Sequence, residues 1–291
     1  MKKIIAAFCS PSGGVGKSTI SKEVTNIIGA TKIGGDYVRV VLVDGNIEFG
    51  SQTTFWQIPT YPDDLESFIL DHRKLLETKS DREIEQMYDW NYIQKYLVKI
   101  GPMEENMFLL PAPPHASSVE IKAEEAGMLI KALFNSFDVV ILDTPNNTKD
   151  TTISAIEHAD KLFFIAVDDS RSITNLQKLR KKLIAEHLLD RANETGQIIY
   201  NRYHSEKNRQ FYTIDDMMEL TQFPVILTID DYPQFETYNA LAHPLTDHDT
   251  PITNDFYELA QLIVPEVEKP KLKKINTTDL KARIMERFRK N

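Results

Sequence analysis

One stretch near the N-terminus constrains the fold of this chain more than any other. Residues 4–9 are apolar, residues 10–19 contain three glycines, and residues 20–28 have a composition that suits a helix. Glycine allows the backbone between a strand and a helix to curl, so that successive N–H groups point to one place. A strand, a glycine-rich turn and a helix in this order are typical of α/β proteins built on a parallel sheet.

The rest of the chain repeats this alternation. Short runs rich in Val, Ile and Phe, each bounded by polar or turn residues, alternate with helix-like segments. The candidate strands are residues 3–9, 38–43, 107–111, 137–142, 161–167, 197–200 and 224–229. Near-continuous apolar strands are expected where both faces of a sheet are covered. The pattern therefore predicts an α/β fold with a single doubly wound, mostly parallel sheet and helices on both faces.

The glycine-rich turn carries the side chains that phosphate binding requires. N–H groups of the turn and the helix N-terminus attract anions, Lys17 is placed to reach terminal phosphates, and the Ser18 hydroxyl can ligate Mg²⁺. The candidate nucleotide-binding residues are Gly13, Gly14, Val15, Gly16, Lys17, Ser18 and Thr19. The alternative is a turn that only joins a strand to a helix. The strand before it and the helix after it favour a phosphate-binding loop.

This loop resembles that of a known family. Residues 12–18 read Ser-Gly-Gly-Val-Gly-Lys-Ser, and the variant loop of the MinD/ParA family reads Lys-Gly-Gly-x-Gly-Lys-Ser/Thr, so six of the seven positions agree. Ser12 replaces the signature lysine, which in the family reaches across a nucleotide-sandwich dimer to the partner's phosphates. The resemblance covers residues 1–264. It implies a P-loop NTPase domain that binds ATP and Mg²⁺ and forms a homodimer in the ATP state.

Two acidic residues stand at strand ends, the edge where open parallel sheets bind ligands. Asp44, followed by Asn46, ends the second candidate strand, and Asp143 follows the fourth. A strand-end Asp can simply cap a turn. In the family the first segment reads Asp-x-Asp and the second is a Walker B segment, so the resemblance implies a metal site of Ser18, Asp44 and Asp143. It implies a catalytic set of Lys17, Asp44 and Asn46, in which the amide can hold a water but cannot accept its proton.

A further pair of polar residues follows the sixth candidate strand. Asn201 and Arg202 resemble the strand-end Asn-Arg of the family, where the asparagine reads the adenine edge. An Asn side chain suits that role because it donates and accepts at once. A loop asparagine after a strand is the common alternative. The resemblance implies both residues as part of the nucleotide site.

Charge and composition limit the partners and the compartment. The net charge is −9, and residues 268–291 hold nine Lys/Arg against three Asp/Glu, a local +6 that leaves −15 on the remainder. An acidic body disfavours nonspecific DNA binding, which depends on Lys and Arg. Cys9 is the only cysteine, and no run reaches the roughly 20 apolar residues of a membrane span. With no signal-peptide pattern at residues 1–9, the sequence predicts a cytoplasmic protein.

Two segments lie outside the α/β pattern. Residues 62–99 form a predicted helical insertion rich in aromatic residues, which either packs on the core or offers a partner surface. Residues 265–291 form a predicted basic linker and a short amphipathic C-terminal helix. Within residues 277–291 the apolar side chains recur every four residues. That helix has three open roles: reversible contact at the inner face of the membrane, as in MinD proteins, docking into a protein groove, or solubilisation.

The resemblance implies a slowly hydrolysing ATPase, converting ATP and water to ADP and phosphate, whose dimer localises or assembles a partner apparatus of the pilus, secretion or conjugation type. Residues 47–50 and 109–114 are most similar to the CpaE/TadZ branch of the family. One alternative is a plasmid or chromosome partition ATPase. Another is a nucleotide-binding scaffold without turnover. A bacterial tyrosine kinase is disfavoured because no tyrosine occurs from residue 268 onward.

Overall fold

The computed structural model describes residues 1–48, 50–56, 58, 63–100, 106–204, 211–232, 248–249, 251–270 and 273–274. The strands are β1 (Ile4–Cys9), β2 (Lys32–Ile33), β3 (Asp36–Tyr37), β4 (Val40–Asp44), β5 (Val98–Lys99), β6 (Met107–Leu110), β7 (Val139–Asp143), β8 (Lys161–Ala166), β9 (Gly196–Tyr203), β10 (Val225–Asp230), β11 (His248–Asp249) and β12 (Lys273–Lys274). The helices are α1 (Lys17–Gly29), α2 (Ser51–Phe55), α3 (Leu65–Leu76), α4 (Asp81–Met87), α5 (Trp90–Ile93), α6 (Ala123–Ser136), α7 (Asp150–His158), α8 (Ser170–Ala185), α9 (Leu189–Thr195), α10 (Ile214–Thr221) and α11 (Pro251–Ile263), with a 3₁₀ turn at Gln94–Tyr96.

Eight of these strands form one sheet in the order β10-β9-β8-β1-β7-β4-β6-β5. Every pairing is parallel except that of β5 with β6, which is antiparallel. The predicted mostly parallel sheet is confirmed, and all seven candidate runs are strands. β5 was not anticipated, because two residues are too short for any periodic pattern and their pairing depends on the tertiary contact with β6.

Alternate residues of the central strands pack on opposite faces of the sheet. Val41 and Val43 of β4 join one apolar cluster, while Val40 and Leu42 join another. Helices α1 and α11 contribute to the second cluster, and α6, α7 and α8 contribute to the first. Burial on both sides explains why the strand residues are almost continuously apolar. The predicted helices on both faces are therefore confirmed.

The segment between β4 and β6 contains α3, α4 and α5, and most of its aromatic side chains pack inward. Phe68 lies with its ring centroid 5.3 Å from those of both Tyr88 and Tyr96. The three rings are 0–3% exposed, and His72 Nδ1 lies 2.7 Å from the Tyr88 hydroxyl. Buried aromatic rings contribute mainly to stability. For these residues packing against the core is the supported interpretation.

The end of the chain is described only in part. Val264 and Val267 follow α11 and are buried in the same cluster as that helix. The predicted amphipathic helix of residues 277–291 lies outside the described residues, and the division into residues 1–264 and 265–291 stays a prediction. Within the described ranges, no helix has the length and apolar character needed to cross a bilayer.

An ion pair between α3 and α6 predicts how stability depends on pH. Arg73 donates to Glu125 from Nε at 2.6 Å and from Nη2 at 2.9 Å. Burial acts to raise the pKa of Glu125, but hydrogen bonds from Arg73 and from the Lys122 N–H, with the charge of Arg73, outweigh it and hold the pKa below 4.5. A carboxyl group whose pKa is lowered by folding contributes stability above its unfolded-state pKa and loses it as the pH falls through the folded value.

Glu125→Gln is therefore expected to lower the free energy of unfolding by about 1 kcal/mol at neutral pH. The effect is small because the Arg73 side chain is 36% exposed and screened by solvent. The difference should shrink as the pH falls below 4.5. Urea unfolding at a series of pH values measures it. A difference that grows on acidification would contradict the assignment.

Candidate functional site

The loop between β1 and α1 has the backbone conformation that a phosphate cradle needs. Gly14 and Gly16 have φ values of 74° and 93°, a left-handed region that favours glycine. Gly16 precedes α1, none of the side chains that the structure describes caps this helix, and its first turn holds no acidic residue. The first N–H groups of α1 are therefore left for an external anion.

Asn201 braces this loop from the end of β9. Its Nδ2 donates to the Val15 carbonyl at 2.8 Å, and the side chain is buried. A Cβ added at Gly16 would lie 2.3 Å from the same nitrogen. Arg202, by contrast, is exposed, with φ 54°. Asn201 thus joins the loop, and a nucleotide-binding role for either residue stays a prediction.

Sheet register brings the two predicted acids together. Asp44 ends β4 and Asp143 ends β7, and the two are paired in register on neighbouring strands. Both are buried, at 0% and 1% exposure. Lys17 Nζ lies 2.6 Å from Asp143 Oδ1 with 4% of the Lys side chain exposed. Three of the predicted site residues therefore form one buried, charged cluster beneath the loop.

Asp44 is oriented by the short helix α2. Its Oδ2 accepts hydrogen bonds from Gln52 N at 2.8 Å, Thr53 N at 3.0 Å and Thr53 Oγ1 at 3.1 Å. Burial and the neighbouring charge of Asp143 raise the pKa of Asp44 to about 6, while the bonds from Thr53 and Gln52 act in the opposite direction. A cation placed between the two acids would favour the ionised form.

The other predicted residues, Asn46 and Ser18, and the variant position Ser12 each make a polar contact of their own. Asn46 N donates to Asp44 Oδ1 at 3.4 Å, a long contact within the turn after β4. Ser18 Oγ lies 3.0 Å from Ser51 Oγ. Ser12, at the position of the family's lysine, is 6% exposed, and its Oγ accepts from Asn175 Nδ2 of α8 at 3.1 Å. That position is thus tied to the protein's own α8.

Sequence reasoning missed the contribution of α2. Gln52 Nε2 lies 2.6 Å from Asp143 Oδ2, 2.7 Å from the Ser18 carbonyl and 2.9 Å from Ser21 Oγ. The only local signal is Gly50 followed by small polar residues, because a five-residue helix carries no periodic pattern. The residues of this site fit Mg²⁺, which prefers oxygen ligands such as a hydroxyl and carboxylates. The Oε1 atom of Gln52 is moreover buried there, and no residue that the structure describes gives it a hydrogen bond.

Cys9, the last residue of β1, lies fully buried close to this cluster. Burial raises the pKa of its thiol to about 12, and Asp143 adds to this, while Thr144 and Lys17 act in the opposite direction. The thiolate is the reactive species. In the folded protein Cys9 is therefore expected to resist a maleimide reagent, and after unfolding in guanidinium one equivalent should react, because the chain holds one cysteine. Rapid stoichiometric labelling of the native protein would contradict this burial.

The chain is similar to known proteins in sequence and in fold. No family model matches the chain. The septum site-determining protein MinD of Synechocystis sp. is 25% identical over 235 residues, which cover 79% of this chain and 77% of that protein. A ParA family ATPase of Chlorobium tepidum superposes with a TM-score of 0.70 at 18% identity, covering 89% of this chain and 98% of that one. MinD in the MinC:MinD complex of Aquifex aeolicus superposes with a TM-score of 0.67 at 20% identity, covering 94% and 100%.

A parallel sheet with a glycine-rich loop before α1 and two acids at neighbouring strand ends defines a protein of the P-loop class. Within that class, the sequence relative and the superposed structures confirm the resemblance to the MinD/ParA family. The chain has the MinD/ParA fold, and it departs from the family pattern at Ser12 and Asn46.

Proposed function

We propose that this chain binds ATP with Mg²⁺ at the P-loop and uses the bound state to position or assemble a partner apparatus. The observation that carries the proposal is the buried cluster of Lys17, Asp143 and Asp44 under the N-terminus of α1, which no described side chain caps. Burial of a lysine and two carboxylates is energetically unfavourable, and clusters of this kind often mark functional sites. An anion at the loop and a cation at the acids would complement these charges.

Each residue of the proposed site has a separate task. Backbone N–H groups of residues 13–19 hold the phosphates, and Lys17 reaches toward them from Asp143. Ser18, Asp44 and Asp143 are the residues that would hold Mg²⁺, and the ion would supply charge neutralisation to the phosphates. Asn201 keeps the loop in shape through the Val15 carbonyl.

Turnover is proposed to be slow. Asn46 stands where the family has its second acid, and an amide orients water without taking its proton. Ser12 is bonded to Asn175 and supplies no charge to a partner's phosphates. These two positions also favour the second candidate function, a nucleotide-binding scaffold without hydrolysis.

The proposed biological role follows the relatives. A MinD structure among them is a complex with MinC, which supports a protein partner for this chain. We further propose an ATP-state homodimer, membership of the CpaE/TadZ branch with a pilus, secretion or conjugation apparatus as partner, and reversible contact with the inner face of the membrane through residues 277–291. A partition ATPase is less supported, because the −15 body outside residues 268–291 disfavours DNA.

The test is calorimetric ATP binding with Mg²⁺ and in EDTA, with phosphate release and molar mass followed in the same samples. Wild type is expected to bind ATP and to release phosphate slowly. Asn46→Asp should raise turnover by about 10-fold or more, because a positioned general base contributes about 10²–10⁴-fold. Asn193→Asp, which adds the same charge at an exposed position of α9, is the matched control.

One result would overturn the proposal, and another would favour the second candidate function. Wild type that binds no ATP under either condition would overturn it. Binding without turnover, unchanged by Asn46→Asp, would leave the scaffold as the function. Ser12→Lys restores the family's lysine and should increase the dimeric fraction in ATP if the sandwich dimer forms.

A further inference from the structure

We propose that Gln52 is a positioning residue of the magnesium site: its amide nitrogen holds Asp143 and the first turn of α1, and its amide oxygen accepts a hydrogen bond from a magnesium-bound water. The inference rests on the proposed function, since it concerns the same nucleotide site. It adds a residue outside the P-loop and the two strand-end acids.

The orientation of the Gln52 amide is fixed by its partners. The side chain is fully buried, and Nε2 lies 2.7 Å from the Ser18 carbonyl oxygen. A backbone carbonyl can only accept, so the NH₂ group and not the oxygen must point to Ser18. The same nitrogen lies 2.6 Å from Asp143 Oδ2 and 2.9 Å from Ser21 Oγ. The amide therefore links β7 to α1.

The amide oxygen is the unusual atom. Gln52 Oε1 is inaccessible to solvent and lacks a hydrogen-bond partner among the described residues. Most buried polar atoms in proteins have a partner, and leaving one without is destabilising. An acceptor held in this state calls for a donor that the described residues do not supply.

Water bound to a magnesium ion at the two acids would supply such a donor. Gln52 contacts both acids of the candidate metal site, with its backbone N–H 2.8 Å from Asp44 Oδ2 and its side chain on Asp143. Mg²⁺ keeps several of its waters when bound to proteins. One such water would be the donor for Oε1, while the amide nitrogen has its own partner in Asp143.

A side chain that contacts the ligands or the waters of a metal, and not the metal itself, has a measurable effect on metal binding. Such side chains orient the ligands, and their removal typically lowers metal affinity by about 10–100-fold. A purely structural role would instead weaken nucleotide binding equally with and without the metal. The dependence of ATP binding on Mg²⁺ therefore separates the two roles.

The experiment titrates ATP into wild type, Gln52→Met and the exposed control Gln94→Met, in EDTA and at graded Mg²⁺. Met keeps the length of the side chain and removes both polar atoms. In Gln52→Met the affinity for ATP in EDTA is expected to change little. The Mg²⁺ concentration that gives half of the maximal increase in ATP affinity is expected to rise by about 10–100-fold. The control should match wild type. Unchanged Mg²⁺ dependence, or an equal loss in EDTA and in Mg²⁺, would overturn the proposal.

A second variant keeps the proposal testable if Gln52→Met does not fold. Gln52→Glu retains oxygen acceptors but adds a negative charge beside Asp143. With ADP at a fixed concentration, Mg²⁺ should raise the melting temperature of Gln52→Glu more than that of wild type. An equal or smaller rise counts against a role at the metal. Wild type that binds no ATP in either buffer would signal the failure of the proposed function instead.

Discussion

Lys17→Met, in the nucleotide-free protein, is expected to lower the free energy of unfolding by about 3–5 kcal/mol, because it leaves a buried carboxylate without its cation. Lys17 Nζ lies 2.6 Å from Asp143 Oδ1, and the two side chains are 4% and 0% exposed. Asp44 is paired in register beside Asp143, so the unbalanced charge would also repel a second acid. Met preserves the length and apolar stem of the lysine and isolates the effect of charge.

Chemical denaturation in EDTA measures this effect without interference from bound nucleotide. The double variant Lys17→Met/Asp143→Asn removes both charges and should recover part of the loss. Lys131→Met, whose ion pair with Glu85 is exposed, is the control and should cost less than about 1 kcal/mol. A Lys17→Met loss no larger than that of the control would show that the pair does not exist in solution.

Gly16→Ala is expected to damage both stability and nucleotide binding. An alanine at φ 93° is strained, at a cost of about 1–3 kcal/mol, and its Cβ would meet Asn201 Nδ2 at 2.3 Å. Relief of that clash would move either the loop or Asn201, and the N–H groups before α1 would no longer converge. ATP affinity should therefore fall by about 10-fold or more, equivalent to about 1.4 kcal/mol.

The loop offers its own matched control for this prediction. Gly14 also has a positive φ, 74°, but a Cβ added there would meet no atom of the described residues within 4 Å. Gly14→Ala therefore reports backbone strain alone. Gly16→Ala/Asn201→Ala removes the clash and should be more stable than Gly16→Ala. Equal losses in Gly14→Ala and Gly16→Ala would mean that Asn201 does not brace the loop.

Much of the fold could be predicted from local patterns. Apolar strands buried on both faces are visible as continuous runs, because neither face meets solvent. The antiparallel pairing of β5 could not be read in this way, since two residues carry no period. The aromatic residues of the insertion were visible as a cluster. Only the packing of Phe68 between Tyr88 and Tyr96 indicates that they stabilise the core.

Some residues of the candidate site could also be predicted from local sequence, and others could not. Gly16, Lys17, Asp44 and Asp143 could be predicted as site residues because a phosphate loop and strand-end acids have fixed local chemistry. Gln52 was missed because its importance lies in contacts with Asp143 and Ser18, at separations of 91 and 34 residues. No pattern within a five-residue helix encodes such contacts.

By itself, the sequence determined the class of fold, the loop that curls before α1, and the chemical identity of the acids at the strand ends. The tertiary structure decided that Asp44 and Asp143 stand side by side, because only the register of β4 with β7 aligns them. It also decided that Lys17 pairs with Asp143, that Ser12 is held by Asn175, and that the Gln52 amide oxygen in the site has no partner within the described part of the chain. The physical reason is that burial and long-range hydrogen bonds are properties of a packed interior, which forms only when distant segments meet.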